Sequence, residues 1–113
     1  MLKRDGLPKN FILSNSSEIE FLFSQGKCIK SQSFNLFYYR TQQFKILFAA
    51  SKYLDTHVKK NKAKRLLREL FRKNKNLFPK NLTFAIVAKK QVLIKKYALL
   101  ETEFFQLANS VFR

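Results

Sequence analysis

Tryptophan is absent from this 113-residue chain, and cysteine, histidine and methionine occur once each. A single thiol, Cys28, excludes an internal disulfide and any metal site built from several cysteines. It suits a reducing cytoplasm, and Cys28 reads as a small strand-edge residue rather than a nucleophile, since nothing near it in sequence is built to activate a thiolate. One histidine, His57, leaves a metal-free ribonuclease mechanism without its acid–base pair. Acidic residues are few: Asp5, Glu18, Glu20, Asp55, Glu69, Glu101 and Glu103. Glu18/Glu20 and Glu101/Glu103 are two residues apart, which turns them to different sides of a helix. No clustered carboxylates are therefore expected to hold catalytic metal ions. Apolar runs fall short of the roughly 20 residues of a membrane-spanning helix, and no signal-peptide pattern is expected at the N-terminus. With two glycines and two prolines, no linker, repeat or low-complexity segment is visible.

What is abundant is positive charge and phenylalanine. Lysine and arginine total 23 against 7 acids, a net charge of +16, while 46% hydrophobic content and 13 phenylalanines provide for a packed core. A chain of this length forms one domain, 1–113, with a basic irregular segment over 1–13. A folded domain that repels itself this strongly calls for an anionic partner, and nucleic acid is the usual one. A membrane surface ranks lower, because the apolar side of the basic helix described next is committed to a core.

The stretch from Val58 to Arg72 carries most of the information. Wound at about 100° per residue, it places Lys60, Asn61, Lys64, Arg65, Arg68 and Arg72 on one arc, with His57 and Lys75 extending it. Ala63, Leu66, Leu67, Leu70 and Phe71 fall on the other side, and Leu77 continues that row. Asp55 or Thr56 is placed to cap the helix. Lys59, Lys60, Lys62 and Lys64 nevertheless crowd its first turns, where the helix dipole disfavours cations. A sequence that accepts this repulsion presents charge for a purpose, and a rod of cations suits a polyphosphate.

Local signals predict the remaining elements. Pro8 opens a stretch expected to lie extended over the surface. Ser17 and Glu20 read as a capping box, opening a short helix with Ile19, Leu22 and Phe23 on one side, stopped by a left-handed Gly26. Phe34 to Arg40 alternates as a strand, Thr41–Gln43 turns, and Phe44 to Ser51 forms a second, more buried strand. The long helix spans about 57–76 and stops before Pro79. Leu82 to Ala88 is apolar enough for a central strand, and Leu100, Phe104, Leu107, Ala108 and Val111 mark one face of a closing helix over about 95–112. The order α-β-β-α-β-α indicates an α+β fold, a two-layer sandwich of a mostly antiparallel sheet with packed helices.

The run Ser51-Lys52-Tyr53, followed after six residues by Lys60-Asn61-Lys62-Ala63-Lys64-Arg65-Leu66-Leu67-Arg68-Glu69-Leu70-Phe71, resembles the signature of the bacterial ribonuclease P protein component. That family carries Ser-Lys-Lys at a strand end and then an Arg-Asn-Arg helix continuing as x-Lys-Arg-Leu-x-Arg-Glu-x-Phe. Phe23-Ser24-Gln25-Gly26, Phe34-Asn35-Leu36-Phe37 and Phe84-Ala85-Ile86-Val87-Ala88-Lys89 are similar to the family's first-helix end, first strand and hydrophobic strand. The pattern departs where Lys60 and Lys62 replace the paired arginines, losing a bidentate fork, and where Tyr53 replaces the second lysine. Asp55-Thr56-His57 also stands for a glycine-rich loop, and Ile19 for an aromatic.

The resemblance implies a left-handed βαβ crossover like that of a small-subunit ribosomal protein domain. It implies a non-catalytic subunit of an endoribonuclease whose RNA, with Mg2+, removes the 5′ leader from precursor tRNA. By motif position Lys60, Asn61, Lys62, Lys64, Arg65 and Arg68 would contact RNA, with Ser51 and Lys52 beside them and Arg72 from the same helix face, and the cationic helix would meet the catalytic RNA. Ile19, Phe23 and Phe37 would line a cleft for the single-stranded leader. Stacking on aromatics inside a positive groove is sequence-tolerant, as a processor of many precursors requires. A structural RNA-binding protein of ribosomal type would share the charge and the helix but need no such cleft. A DNA-binding module is disfavoured, since the helix offers little besides Asn61 to read base edges.

Overall fold

The computed structural model describes residues 12–112. Helix α1 (Ser16–Gln25) is followed by strands β1 (Lys27–Lys30), β2 (Phe34–Arg40) and β3 (Lys45–Ala50), helix α2 (His57–Asn74), strand β4 (Leu82–Ala88) and helix α3 (Tyr97–Phe112). Single 3-10 turns at Lys75–Leu77 and Lys90–Leu93 close α2 and follow β4. The four strands lie in the order β1-β2-β4-β3. The pairs β1–β2 and β2–β4 are antiparallel, while β3–β4 is parallel and makes α2 the crossover of a βαβ unit.

Alternation divides each strand between two faces. Phe34, Leu36, Ile46, Leu82, Phe84, Ile86 and Ala88 meet Ala63, Leu67, Leu70 and Phe71 of α2 and Leu100, Phe104, Leu107 and Ala108 of α3 in the main core. Phenylalanine fills it: the Phe78 and Phe84 rings stack at 4.7 Å, and Phe71 meets Phe44, Phe48, Phe78 and Phe84 at 5.2–6.0 Å. Such pairs are worth about 0.5–1.5 kcal/mol each beyond the area they bury. On the opposite face α1 covers a smaller cluster of Leu13, Leu22 and Ala85, with Ile19, Phe37, Tyr39 and Leu47 around it.

Several local expectations are corrected. An extra strand, β1, makes the order α-β-β-β-α-β-α; its four residues are mostly exposed and have no apolar period to betray them. It forms because β2 offers it a full antiparallel register, Lys27 opposite Tyr38 through Lys30 opposite Asn35. Cys28 sits in it, exposed at the sheet edge. Asn15, not the Ser17–Glu20 box, caps α1 by accepting the Glu18 N–H at 3.1 Å, consistent with asparagine's rank as an N-cap. Gly26 is extended, φ −71°, so the chain runs straight from α1 into β1. Glycine is required there because a Cβ would lie 2.5 Å from the Leu22 carbonyl oxygen.

Strand β3 is an edge strand and no more buried than β2. Helix α2 ends at Asn74 instead of about 76, where the backbone tightens into its 3-10 turn, and α3 begins at Tyr97 instead of about 95. The Pro8 stretch lies outside the described residues. Its continuation is not merely superficial: Ile12 bridges Ile46 in parallel, the Leu13 N–H donates to the Ile46 carbonyl at 2.9 Å, and Leu13 is buried.

A carboxylate pins the β1–β2 turn to α3. Glu103 accepts from Ser31 Oγ at 2.5 Å, Ser33 N at 2.7 Å, Ser33 Oγ at 2.8 Å and Lys95 Nζ at 2.9 Å. Desolvation opposes its ionisation, but the hydrogen bonds from Ser31, Lys95 and Ser33 outweigh it and hold its pKa at about 2.

Candidate nucleic-acid interface

Two surfaces carry the predicted residues, on opposite faces of the sheet. The first is the outer flank of α2. Its buried stripe is Ala63, Leu67, Leu70 and Phe71, with Leu66 packed at the margin. That stripe leaves Asn61, Lys62, Arg65, Arg68 and Arg72 exposed and Lys60 and Lys64 half-buried. Thr56, rather than Asp55, caps the helix by accepting the Lys59 N–H at 3.1 Å. Asp55 instead meets the Lys59 side chain at 3.1 Å. The hydrogen bond and charge of Lys59 hold the Asp55 carboxyl below its ordinary range, so one of the crowded lysines is locally compensated.

The predicted cations are not equivalent. Lys62 lies about 200° round the helix from Lys60 and Lys64, so it flanks the stripe from the far side. The Arg68 guanidinium lies 5.7 Å over the Phe48 ring, which ties that cation to the edge strand β3. Arg72 meets Glu69 at 2.5 Å. Lys64 and Arg65, with Asn61 between them and the helix start, form the middle of the stripe. Ser51 and Lys52 stand on the turn joining β3 to α2. The Ser51 N–H donates to Ala88 O at 2.8 Å and its Oγ accepts the Tyr53 N–H at 3.1 Å, so Ser51 builds this turn as well as facing its surroundings.

The second surface is the sheet face beside α1. Ile19 and Phe23 line a shallow groove with Ser16, Glu20 and Ser24. Phe23 and Phe37 meet edge to face with centroids 4.7 Å apart. The three predicted cleft residues are thus brought together, Ile19 and Phe37 in one cluster and Phe23 against Phe37. Phe21, two residues from Phe23, turns to the other flank of α1 and meets Tyr39 at 5.0 Å.

Asn35 joins this face with no sequence motif to mark it. By alternation it shares the face of Phe37, in a rung with Val87 and Ala49, and its Oδ1 is buried with no hydrogen-bond partner among the described residues. The available signal was an amide at an inward position of an aromatic strand, where a polar group calls for an explanation.

Five of the six described acidic residues are engaged in ion pairs. Glu18, Asp55, Glu69, Glu101 and Glu103 each face a lysine or arginine within 2.5–3.4 Å. Among the described residues, no three of His, Cys, Asp and Glu gather to hold a metal ion. No described helix is long and apolar enough to cross a membrane.

The family model described as Ribonuclease P matches residues 7–111. The ribonuclease P protein component of Finegoldia magna is 30% identical over 97 residues, covering 85% of this chain and 86% of that protein. Among solved structures, the RNase P protein of Thermotoga maritima superposes with a TM-score of 0.75 at 18% identity, covering 87% of this chain and 94% of its own. The Staphylococcus aureus RNase P protein gives 0.77 at 16% identity, covering 91% and 98%. These two likenesses concern the fold, and they match its α+β sheet and three helices. With a family model spanning nearly the whole chain and a curated relative matched along most of its length, the chain belongs to the ribonuclease P protein family, the protein component of a tRNA-processing endoribonuclease.

Proposed function

We propose that this chain binds the catalytic RNA of ribonuclease P through the outer flank of α2, and the single-stranded 5′ leader of precursor tRNA on the sheet face beside α1. The RNA performs the hydrolysis. The observation that carries the reading is the division of labour between the two surfaces. A fixed stripe around Lys64 and Arg65 lies on one face of the sheet, and contacting rings, Phe23 and Phe37, lie on the other. A cationic stripe takes the phosphates of a folded RNA without regard to sequence. Rings beside a groove take unpaired bases by stacking, equally without regard to sequence. A structural RNA-binding protein would have no use for the second surface.

Metal ions commonly assist water attack on a phosphodiester, and in this reading Mg2+ would enter with the RNA while the chain's residues bind and orient. The test is to add the protein to its cognate catalytic RNA at low magnesium and follow release of the leader from precursor tRNA. Cleavage should rise with protein, while RNA-free protein should leave the precursor intact. Robust cutting by protein alone, or no effect on the RNA, would overturn the proposal.

A further inference from the structure

Tyr53 stands where the family pattern places a second lysine, and 69% of its surface is exposed. A large ring so far in solvent makes no contribution to the core. It is nevertheless held in place by its neighbours. The Tyr53 N–H donates to Ser51 Oγ at 3.1 Å. Ser51 is tied to β4 through Ala88 O, the Leu54 N–H closes the turn onto Ser51 O at 3.1 Å, and Leu54 is 3% exposed, in the main core. The ring thus rides on a turn anchored on both sides, which limits the ordering cost of using it. Lys52 Nζ lies over the ring, 5.6 Å from its centroid.

A cation over one face of an exposed, anchored aromatic ring is the pairing that binds unpaired nucleotides: the ring stacks a base and the ammonium meets its phosphate. The turn's position says which strand. Asn35, Val87 and Ala49 form one rung across β2, β4 and β3, and the next step along β3 is Ser51, where the turn begins. Phe37 is level with Leu47, so the path from Phe37 to Ser51 crosses two strand spacings, roughly 10 Å, and advances four residues along β3, roughly 13 Å, a separation that several nucleotides of extended single strand span.

The geometry points to Tyr53 as a second stacking platform for the precursor's 5′ leader, taking a base beyond those held at Phe23 and Phe37. This rests on the leader-binding reading above and extends it to a residue in which this chain departs from its family. The hydroxyl plays no part, so Tyr53→Phe should behave as wild type. Tyr53→Ala should weaken binding of leader-bearing precursor tRNA by roughly fivefold to 150-fold, the range for removing one stacked base. Binding of mature tRNA and of the catalytic RNA should stay unchanged. Tyr53→Lys should exchange the stacked base for a phosphate contact, recovering part of the affinity lost in Tyr53→Ala and steepening the salt dependence by roughly 0.7, as one added phosphate contact does on a single strand.

A direct readout comes from Tyr53→Trp. The chain has no tryptophan of its own, so the only indole would be at this position, and stacking should quench its fluorescence when leader-bearing precursor is added but not when mature tRNA is added. Equal binding by Tyr53→Ala and wild type, or an indole indifferent to the leader, overturns the inference. So does a loss in Tyr53→Ala that falls equally on the catalytic RNA, which would assign the ring to that partner. Wild-type protein that does not prefer precursor over mature tRNA would instead overturn the parent reading, and this inference with it.

Discussion

The Phe23 and Phe37 rings meet at 70°, with centroids 4.7 Å apart, joining the last turn of α1 to the middle of β2. The contact ties α1 to β2, because each ring is carried by a different element. Phe23 remains 37% exposed, so a ring surface is presented without being free to swing.

Phe37→Ala should cost leader-dependent affinity of about 1–3 kcal/mol for each base that stacks there. Precursor tRNA should lose affinity while mature tRNA and the catalytic RNA keep theirs. Phe21→Ala is the matched control. It breaks the 5.0 Å contact with Tyr39 on the other flank of α1, worth about 0.5–1.5 kcal/mol of stability, and should leave leader preference intact. Binding and melting measured side by side on both variants separate recognition from packing. Leader preference undiminished in a folded Phe37→Ala protein would return that ring to the core.

Salt dependence tests the α2 stripe. Log affinity for the catalytic RNA should fall linearly with log salt, and Lys64→Ala and Arg65→Ala should each flatten the line by roughly 0.7–0.9. Arg65→Ala should leave the melting temperature unchanged, since Arg65 is exposed on the helix. Arg68→Ala should differ by doing both. Its guanidinium covers Phe48 at 5.7 Å, and losing that cover should cost about 0.5–1 kcal/mol of stability. Three unchanged slopes would reduce the helix to a solvated face.

Glu103 makes acid stability testable. Its folded pKa, about 2, lies below the ordinary value of 4.5. A depressed carboxylate pKa means that the unfolded chain binds the proton first as pH falls. The contribution is therefore complete above about pH 4.5 and lost on descent towards about pH 2. Glu103→Gln should flatten the fall in stability across that window and lower stability above it. Glu103→Ala should also strand the Ser33 N–H, which it now accepts at 2.7 Å, a loss of about 1–3 kcal/mol. Denaturant melts between pH 2 and 7 would show both effects; parallel pH profiles for wild type and Glu103→Gln would rule out the clamp.

Legibility followed the physics of each signal. Leu82–Ala88 is legible to the residue because a buried central strand is apolar on both faces. The two faces of α2 were legible because eighteen residues sample the helical period several times over. Strand β1 was not, since its four residues owe their form to the neighbouring β2. Only the family resemblance links Ile19, Phe23 and Phe37, because no periodicity links a helix to a strand across a sheet. The Glu103 clamp was invisible for the same reason: its partners at Ser31 and Ser33 lie 72 and 70 residues away in sequence.

Gly26 offers the last test, one in which two explanations of the same residue disagree. A left-handed helix stop would make alanine costly through backbone conformation, but Gly26 has φ −71°, which alanine adopts freely. The cost lies in space. A Cβ would stand 2.5 Å from Leu22 O, 3.0 Å from Leu22 Cδ1 and 3.1 Å from Tyr38 O. Two of those atoms are backbone, and Leu22 O already accepts the Gly26 N–H at 2.9 Å, so relief requires α1 to shift against β2. Gly26→Ala should therefore destabilise the fold by about 1–3 kcal/mol, the usual range for overpacking. Because α1 carries Ile19 and Phe23, the same shift should weaken leader-bearing precursor binding while sparing the salt slope of the α2 stripe. Calorimetry and precursor binding on this variant check both arms. A Gly26→Ala protein as stable as wild type would mean that the junction of α1 and β1 has room the close approach to Leu22 and Tyr38 does not allow.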